Sequence, residues 1–181
     1  MAKVIIWGMF IIPWLSLLLM NKSLLKNYIP VALLATVLNT IVYQLAWTYG
    51  WWHYKVTLFS WDQVAQIHTV YGIFLVGTIW IFRFTFNKFW VYLLVNVGVD
   101  SVYAFGFRLL WKKLGITSGG NLPPMGSLSI MTVMALFLYV YQIWQQTAFR
   151  QEPENIPSKQ SGKLLWVSSS FINRVRREKA K

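Results

Sequence analysis

Apolar residues along this chain form five long runs, which are separated by short polar segments. An α-helix rises about 1.5 Å per residue, so about 20 apolar residues cross the roughly 30 Å hydrocarbon core of a bilayer. The pattern predicts an all-α fold, a polytopic transmembrane bundle of about five helices in residues 1–147, with a C-terminal basic tail in residues 148–181. The predicted spans are 4–20, 28–49, 64–82, 89–110 and 127–144.

The connections between the runs alternate between short and long. Residues 21–27 and 83–88 are short links, which predict two antiparallel helical hairpins. Residues 50–61 and 112–126 are longer and belong on the opposite side of the membrane. Glycine and proline turn chemistry marks the second of them. The first holds aromatic residues of the kind that anchor at a membrane interface, Trp51, Trp52 and Trp61.

Composition supports a lipid environment and indicates an anionic partner. Of the residues, 56% are hydrophobic and 12% are charged, and 17 Lys and Arg outnumber 5 Asp and Glu to give a net charge of +12. A strongly basic chain attracts anions. Because the basic residues lie in loops and a tail beside apolar runs, phospholipid headgroups are the predicted partner and nucleic acid is not.

The tail combines basic residues with apolar residues at approximately helical spacing, which is the pattern of an amphipathic interfacial helix. The alternative is a basic tail that only enforces topology. Counting the tail lysines under the positive-inside rule places the amino terminus outside and the carboxyl terminus in the cytoplasm, in a multi-pass protein of the plasma membrane. The residues predicted to contact anionic headgroups are Lys163, Arg174, Arg176 and Arg177.

Polar side chains within the runs are the main functional clue, because burying a charge at the bilayer centre costs about 2.5–3.5 kcal/mol on insertion scales. Asp100 lies near the middle of the fourth run, and other polar residues recur at helical spacing in four of the runs. We expect these stripes to converge on a polar pocket that opens to the outside. The predicted ligand-binding residues are Asn39, Gln44, His68, Asn96, Asp100, Tyr103 and Arg108.

Several functional classes stay open at this point. The same polar residues would fix helix packing by hydrogen bonding across helices in a structural or interaction component, one that has a membrane-protein partner. Alternatively, a pocket around Asp100 would serve a subunit that transports a small molecule or a proton. A lipid-modifying enzyme based on His68 and Asp100 comes third.

No catalytic motif was found, since the sequence contains no H-E-x-x-H, no G-x-S-x-G and no G-x-x-x-x-G-K-[ST]. There is no cysteine, and two histidines with few carboxylates offer no metal-ligand spacing. The sequence therefore predicts no catalytic residue, no cofactor and no metal site.

Several aromatic and apolar motifs of this chain resemble those of one protein family. They include the run from Gly77 to Phe86, its continuation from Phe89 through Asn96 and Asp100 to Phe105, and the short motifs Ile12-Pro13-Trp14, Tyr28-Ile29-Pro30 and Gly50-Trp51-Trp52. Over about residues 5–145 the chain resembles an uncharacterised family of small multi-pass membrane proteins from endospore-forming Firmicutes. The resemblance implies a membrane location and a Gram-positive source, and it implies no activity, cofactor or catalytic residue.

Overall fold

The computed structural model describes residues 2–118 and 120–150, so the residues predicted to bind headgroups, Lys163, Arg174, Arg176 and Arg177, lie outside the described part. The described chain is mostly helical. Residues Met1–Ile143 form one compact unit, and a second unit begins at Trp144. The core and the site described below both belong to the first unit.

Helices occupy each of the five apolar runs. A 3-10 turn, Leu17–Leu19, extends the first helix, and π-helices His68–Phe74 and Val102–Phe107 adjoin the third and fourth. The α-helices are α1 (Ala2–Ser16), α2 (Lys22–Thr48), α3 (Leu75–Thr85), α4 (Phe89–Ser101), α5 (Arg108–Lys113) and α6 (Pro124–Arg150).

Three helical segments are long and apolar enough to cross a bilayer, namely Lys22–Thr48, Phe89–Lys113 and Pro124–Ala148. The first helix, Lys3–Leu19, is apolar but shorter. In the third run, only the 11 residues of α3 follow the π-helix. The described chain therefore has three membrane-compatible helices, which indicates a membrane protein, whereas a bundle of five spans is not confirmed.

The main core joins α2, α3, α4 and α6 through aromatic side chains. Phe82 and Tyr92 are each 1% exposed, and their ring centroids lie 5.0 Å apart. The ring of Tyr28 stacks on the ring of Phe82, and the two centroids lie 6.1 Å apart. Tyr139 of α6 completes the group at 4.9 Å from Tyr92. Rings at these distances and tilts add to the apolar burial, so this cluster holds the four helices together.

The π-helix before α3 crosses α1 at very short range, and a glycine makes this possible. A Cβ atom at Gly72 would lie 2.9 Å from the carbonyl oxygen of Met9 and 3.2 Å from Cα of Phe10. Small residues at such crossings let two helix backbones approach closely. The indole of Trp14 donates a hydrogen bond to the carbonyl of Tyr71 at 3.0 Å, next to this contact. The crossing therefore fixes α1 against the third helical run.

Two helices end in the same way on one side of the unit. Gly50 after α2 has φ +65° and Gly115 after α5 has φ +68°, a left-handed conformation that glycine adopts without strain. Beyond Gly50 the amide of Trp51 donates to the carbonyl of Ala46 at 2.9 Å, and beyond Gly115 an equivalent bond closes α5. Both ends are Schellman motifs, which satisfy the last carbonyl groups of a helix and turn the chain sharply.

The chains that leave these two helix ends pair with each other. Strands β1 (His53–Tyr54) and β2 (Thr117–Ser118) form an antiparallel pair, which the all-α prediction missed. The amide of Lys55 donates to the carbonyl of Ile116 at 2.8 Å, and the amide of Asn121 donates to Gly50 at 3.2 Å. We call this paired structure the clasp, and it comprises residues 50–55, 115–118 and 120–122.

A second, smaller core cluster contacts the clasp. Ile6 of α1, Trp111 of α5 and Ile116 pack together, and all three are buried. The start of α1 therefore lies on the same side of the unit as the clasp. This agrees with the antiparallel hairpins that the short links predicted.

Candidate functional site

A cavity of about 220 Å³ lies between α2, α3, α4 and α6 in the first unit. Most of its wall is apolar or aromatic. The clasp contributes to one end of the wall through Trp52, Tyr54, Thr117 and Gly120. Gly77 of α3 also lines the cavity, and a Cβ atom built on it would meet no atom within 4 Å. The wall at Gly77 therefore has free space beside it.

Five of the seven residues predicted to bind a ligand line this cavity. Asn39 projects from α2, where it is buried. The others come from the continuous helical segment Phe89–Lys113, and the set is Asn39, Asn96, Asp100, Tyr103 and Arg108. The structure thus brings predicted residues from two of the four striped runs to one cavity.

Gln44 and His68 do not line the cavity. Gln44 is exposed on α2. His68 is 2% exposed, and its ring meets the ring of Tyr54 edge to face at 6.2 Å. His68 therefore packs against the clasp and does not line the cavity with Asp100.

The three tryptophans predicted at the interface have different surroundings. Trp52 lines the cavity and meets the ring of Tyr43 at 5.7 Å. Trp51 stacks near Tyr49 with centroids 5.9 Å apart. Trp61 is 72% exposed, and its ring is stacked on Phe59. Of the three, Trp52 is placed to contact a ligand.

The two charged residues of the cavity wall differ in their hydrogen-bond partners. Arg108 donates from Nη1 to the carbonyl of Leu122 at 2.7 Å and from Nη2 to the carbonyl of Gly120 at 3.5 Å. It is therefore engaged with the clasp. No described residue forms an ion pair with Asp100 or donates a hydrogen bond to it. The carboxylate group of Asp100 thus lines a mostly apolar cavity without a partner from the described chain.

A chain of three tyrosine hydroxyl groups, which no sequence pattern indicated, joins the clasp to the cavity wall. The hydroxyl of Tyr54 lies 3.1 Å from that of Tyr43 and 3.2 Å from that of Tyr103. Burial raises the pKa of Tyr54 well above its ordinary value, so this hydroxyl stays protonated. No local signal marks Tyr54 as a partner of the other two, because the pairing depends on the clasp.

Hydrogen bonds between helices are made by residues other than those predicted to fix packing. Asn96 donates to the carbonyl of Tyr92 on its own helix at 2.8 Å. The hydroxyl of Tyr92 donates to Ala135 at 2.9 Å, and Gln142 donates to Asn27 at 3.3 Å. A tyrosine therefore joins α4 to α6 and a glutamine joins α6 to α2, which leaves the Asp100 side chain available at the cavity.

The arrangement has the features of a site that can bind a small molecule. It offers a partly open, mostly apolar space, one carboxylate group without a partner among the described residues, several amide and hydroxyl groups, and aromatic rings. Such a combination of apolar walls and a few polar groups is typical of small-molecule sites. Comparison of the chain with protein-family models, curated proteins and solved structures gave no match.

Proposed function

We propose that this chain is an integral membrane protein that binds a small, largely apolar molecule in the cavity between α2, α3, α4 and α6. The observation that carries the proposal is Asp100, which lines this cavity with no partner among the described residues. A carboxylate group in an apolar environment is costly, and such residues usually face a partner or a functional cavity. A ligand would supply the partner that the protein does not.

The size of the cavity limits the ligand. An engineered apolar cavity of about 150 Å³ in another protein holds benzene, whereas sites for drug-sized molecules occupy about 300–1,000 Å³. A cavity of about 220 Å³ lies between these. The proposed ligand therefore has about one ring with a small substituent.

The topology that fits this function is a five-span bundle in the plasma membrane. Lys3–Leu19 would rise about 25 Å as a helix, and the bilayer can thin locally around a span of this length. The positive-inside rule supports an outside amino terminus, so the clasp would face outward. The tail would then contact anionic headgroups of the inner leaflet. The resemblance to the Firmicutes family supports a Gram-positive plasma membrane.

Filling the cavity tests the proposal. Gly77→Leu adds a side chain into the free space of the cavity wall, and Gly98→Leu adds the same side chain on α4 at a position outside the wall. Neither Cβ atom would meet another atom within 4 Å. Both variants and the wild-type protein would be placed in nanodiscs of zwitterionic phosphatidylcholine. The unfolding temperature would be measured with tert-butylbenzene, phenyltrimethylammonium or benzoate.

A ligand that binds only the folded state raises the unfolding temperature. We expect at least one of the three probes to stabilise the wild-type protein and Gly98→Leu, and to leave Gly77→Leu unchanged. Partition of a probe into lipid is the same for all three proteins, so a difference between the variants reports the cavity. The proposal fails if no probe stabilises the wild-type protein, or if Gly77→Leu responds as strongly as Gly98→Leu.

A further inference from the structure

The two charged side chains of the cavity wall differ in their hydrogen bonding. Among the described lining residues, Asp100 is the single acidic side chain and Arg108 the single basic one. The guanidinium group of Arg108 already donates to two carbonyl groups of the clasp. The carboxylate oxygens of Asp100 accept no hydrogen bond from any described residue. The unmet requirement in this cavity is therefore for positive charge at Asp100.

Aromatic side chains also line the cavity that Asp100 lines. Tyr92 lies two turns before Asp100 on α4, and Tyr103 follows Asp100 by three residues, so both share the cavity wall with it. Phe82 of α3 lines the cavity opposite α4. A cation within about 6 Å of an aromatic ring face is attracted by the ring, and the attraction increases when water is excluded.

From these observations we infer that the ligand class is a small organic monocation, an ammonium group on an apolar body of about one ring. The ammonium group would lie at Asp100, and the apolar body would fill the space beside Gly77 and Phe82. This inference rests on the proposed function, since it names the chemistry of the same site. Anionic ligands are disfavoured because they would meet the unpartnered carboxylate group.

Two probes isolate the charge. Phenyltrimethylammonium and tert-butylbenzene have nearly the same shape, and they differ by one nitrogen and its fixed positive charge. We expect phenyltrimethylammonium to bind the wild-type protein in phosphatidylcholine nanodiscs at least tenfold more tightly than tert-butylbenzene. Asp100→Asn keeps the shape of the side chain and should remove this preference. Asp62→Asn removes the other acidic residue of the described chain, which does not line the cavity, and should retain it.

The possible results distinguish the inference about charge from the proposed function. Equal binding of the two probes by the wild-type protein would overturn the inference about charge, and the cavity would remain a binding site. Tightest binding of benzoate would also overturn it and would indicate Arg108 as the recognising group. If no probe binds, both the inference about charge and the proposed function fail. The comparison of probes on the wild-type protein, made at equal free concentration in the aqueous phase, needs no variant and holds even if Asp100→Asn does not fold.

Discussion

The hydroxyl group of Tyr92 on α4 donates a hydrogen bond to the backbone carbonyl of Ala135 on α6 at 2.9 Å, in a buried position. Tyr92 is also part of the aromatic cluster that joins the helices around the cavity. One side chain therefore provides both apolar packing and a directional contact between two membrane-compatible helices. Tyr92 and Ala135 both line the cavity.

Removal of that hydroxyl should weaken the contact between α4 and α6. We expect Tyr92→Phe to lower the free energy of unfolding by about 0.5–1.5 kcal/mol, since the ring packing stays and one hydrogen bond is lost. Reversible unfolding of the protein in mixed micelles measures this value. Tyr49→Phe is the matched control because Tyr49 is exposed, and it should change stability little. An equal loss in both variants would contradict the role of the Tyr92 hydroxyl.

Substitutions at two glycines five residues apart should affect stability differently. Gly72→Val would force α1 away from the π-helix, and overpacking of this kind costs about 1–3 kcal/mol. Gly77→Ala meets no neighbouring atom and replaces a poor helix former, so we expect an unchanged or slightly raised unfolding temperature. Thermal unfolding of both variants checks this. Tolerance of valine at Gly72 would show that the close crossing is not required.

The clasp should loosen when Arg108 loses its guanidinium group. Arg108→Gln removes the donors to Leu122 and Gly120, so we expect faster hydrogen exchange at the amide of Asn121 and in β1. Hydrogen-exchange mass spectrometry of residues 50–55 and 115–122 measures this.

The control for Arg108→Gln is Lys112→Gln, which removes a positive charge from an exposed side chain on the same helix. It should leave exchange in the clasp unchanged. Equal exchange in wild-type protein and Arg108→Gln would show that the strand pair holds the clasp without the guanidinium group.

Stability should depend on pH through Asp62, in the loop before the third helical run. Its Oδ1 accepts a hydrogen bond from the amide of Ile67 at 3.0 Å, but burial raises the pKa of the carboxyl group above its ordinary value near 3.8. The folded state thus favours the protonated form. Stability is greatest below the ordinary pKa and declines as the pH rises through the raised folded pKa.

The difference between wild-type protein and Asp62→Asn isolates this effect, because all other titrating groups are shared. We expect the unfolding temperature of the wild-type protein to fall relative to that of Asp62→Asn as the pH rises above about 3.8. A difference that is constant from pH 3 to pH 8 would contradict the raised pKa of Asp62.

The positions of the helices could be predicted from the sequence because apolar runs decide them locally. Helices cover all five runs, although two of them fall short of the length of a bilayer span. The shared stripe of Asn96 and Asp100 was also predictable, since helical spacing places residues four apart on the same face. These inferences need no knowledge of distant contacts.

The orientation of the third helical run could not be predicted by the same argument. Spacing of 3.6 residues per turn would put His68, Tyr71 and Thr78 on one face. The segment His68–Phe74 is π-helical, with a wider turn, and this changes the direction of each side chain. His68 is consequently buried beside Tyr54, Tyr71 is exposed, and Thr78 lines the cavity.

The clasp was unpredictable for a different reason. Its strands have two residues each, too few for an alternating pattern, and they come from loops more than 60 residues apart. The pairing follows from two helix ends that release the chain on the same side of the unit. The contribution of Tyr54 to the cavity wall depends on that pairing and was therefore missed.

The outward side of the segment Phe89–Lys113 carries large apolar groups that no other part of the described chain covers, among them Trp90, Leu94, Val102 and Leu109. In a bilayer, acyl chains surround this surface. After extraction from the bilayer, detergent or an amphipathic polymer must cover this surface instead. A preparation stripped of amphiphile would bury these side chains by self-association, so precipitation on detergent removal is the expected behaviour of correctly folded material.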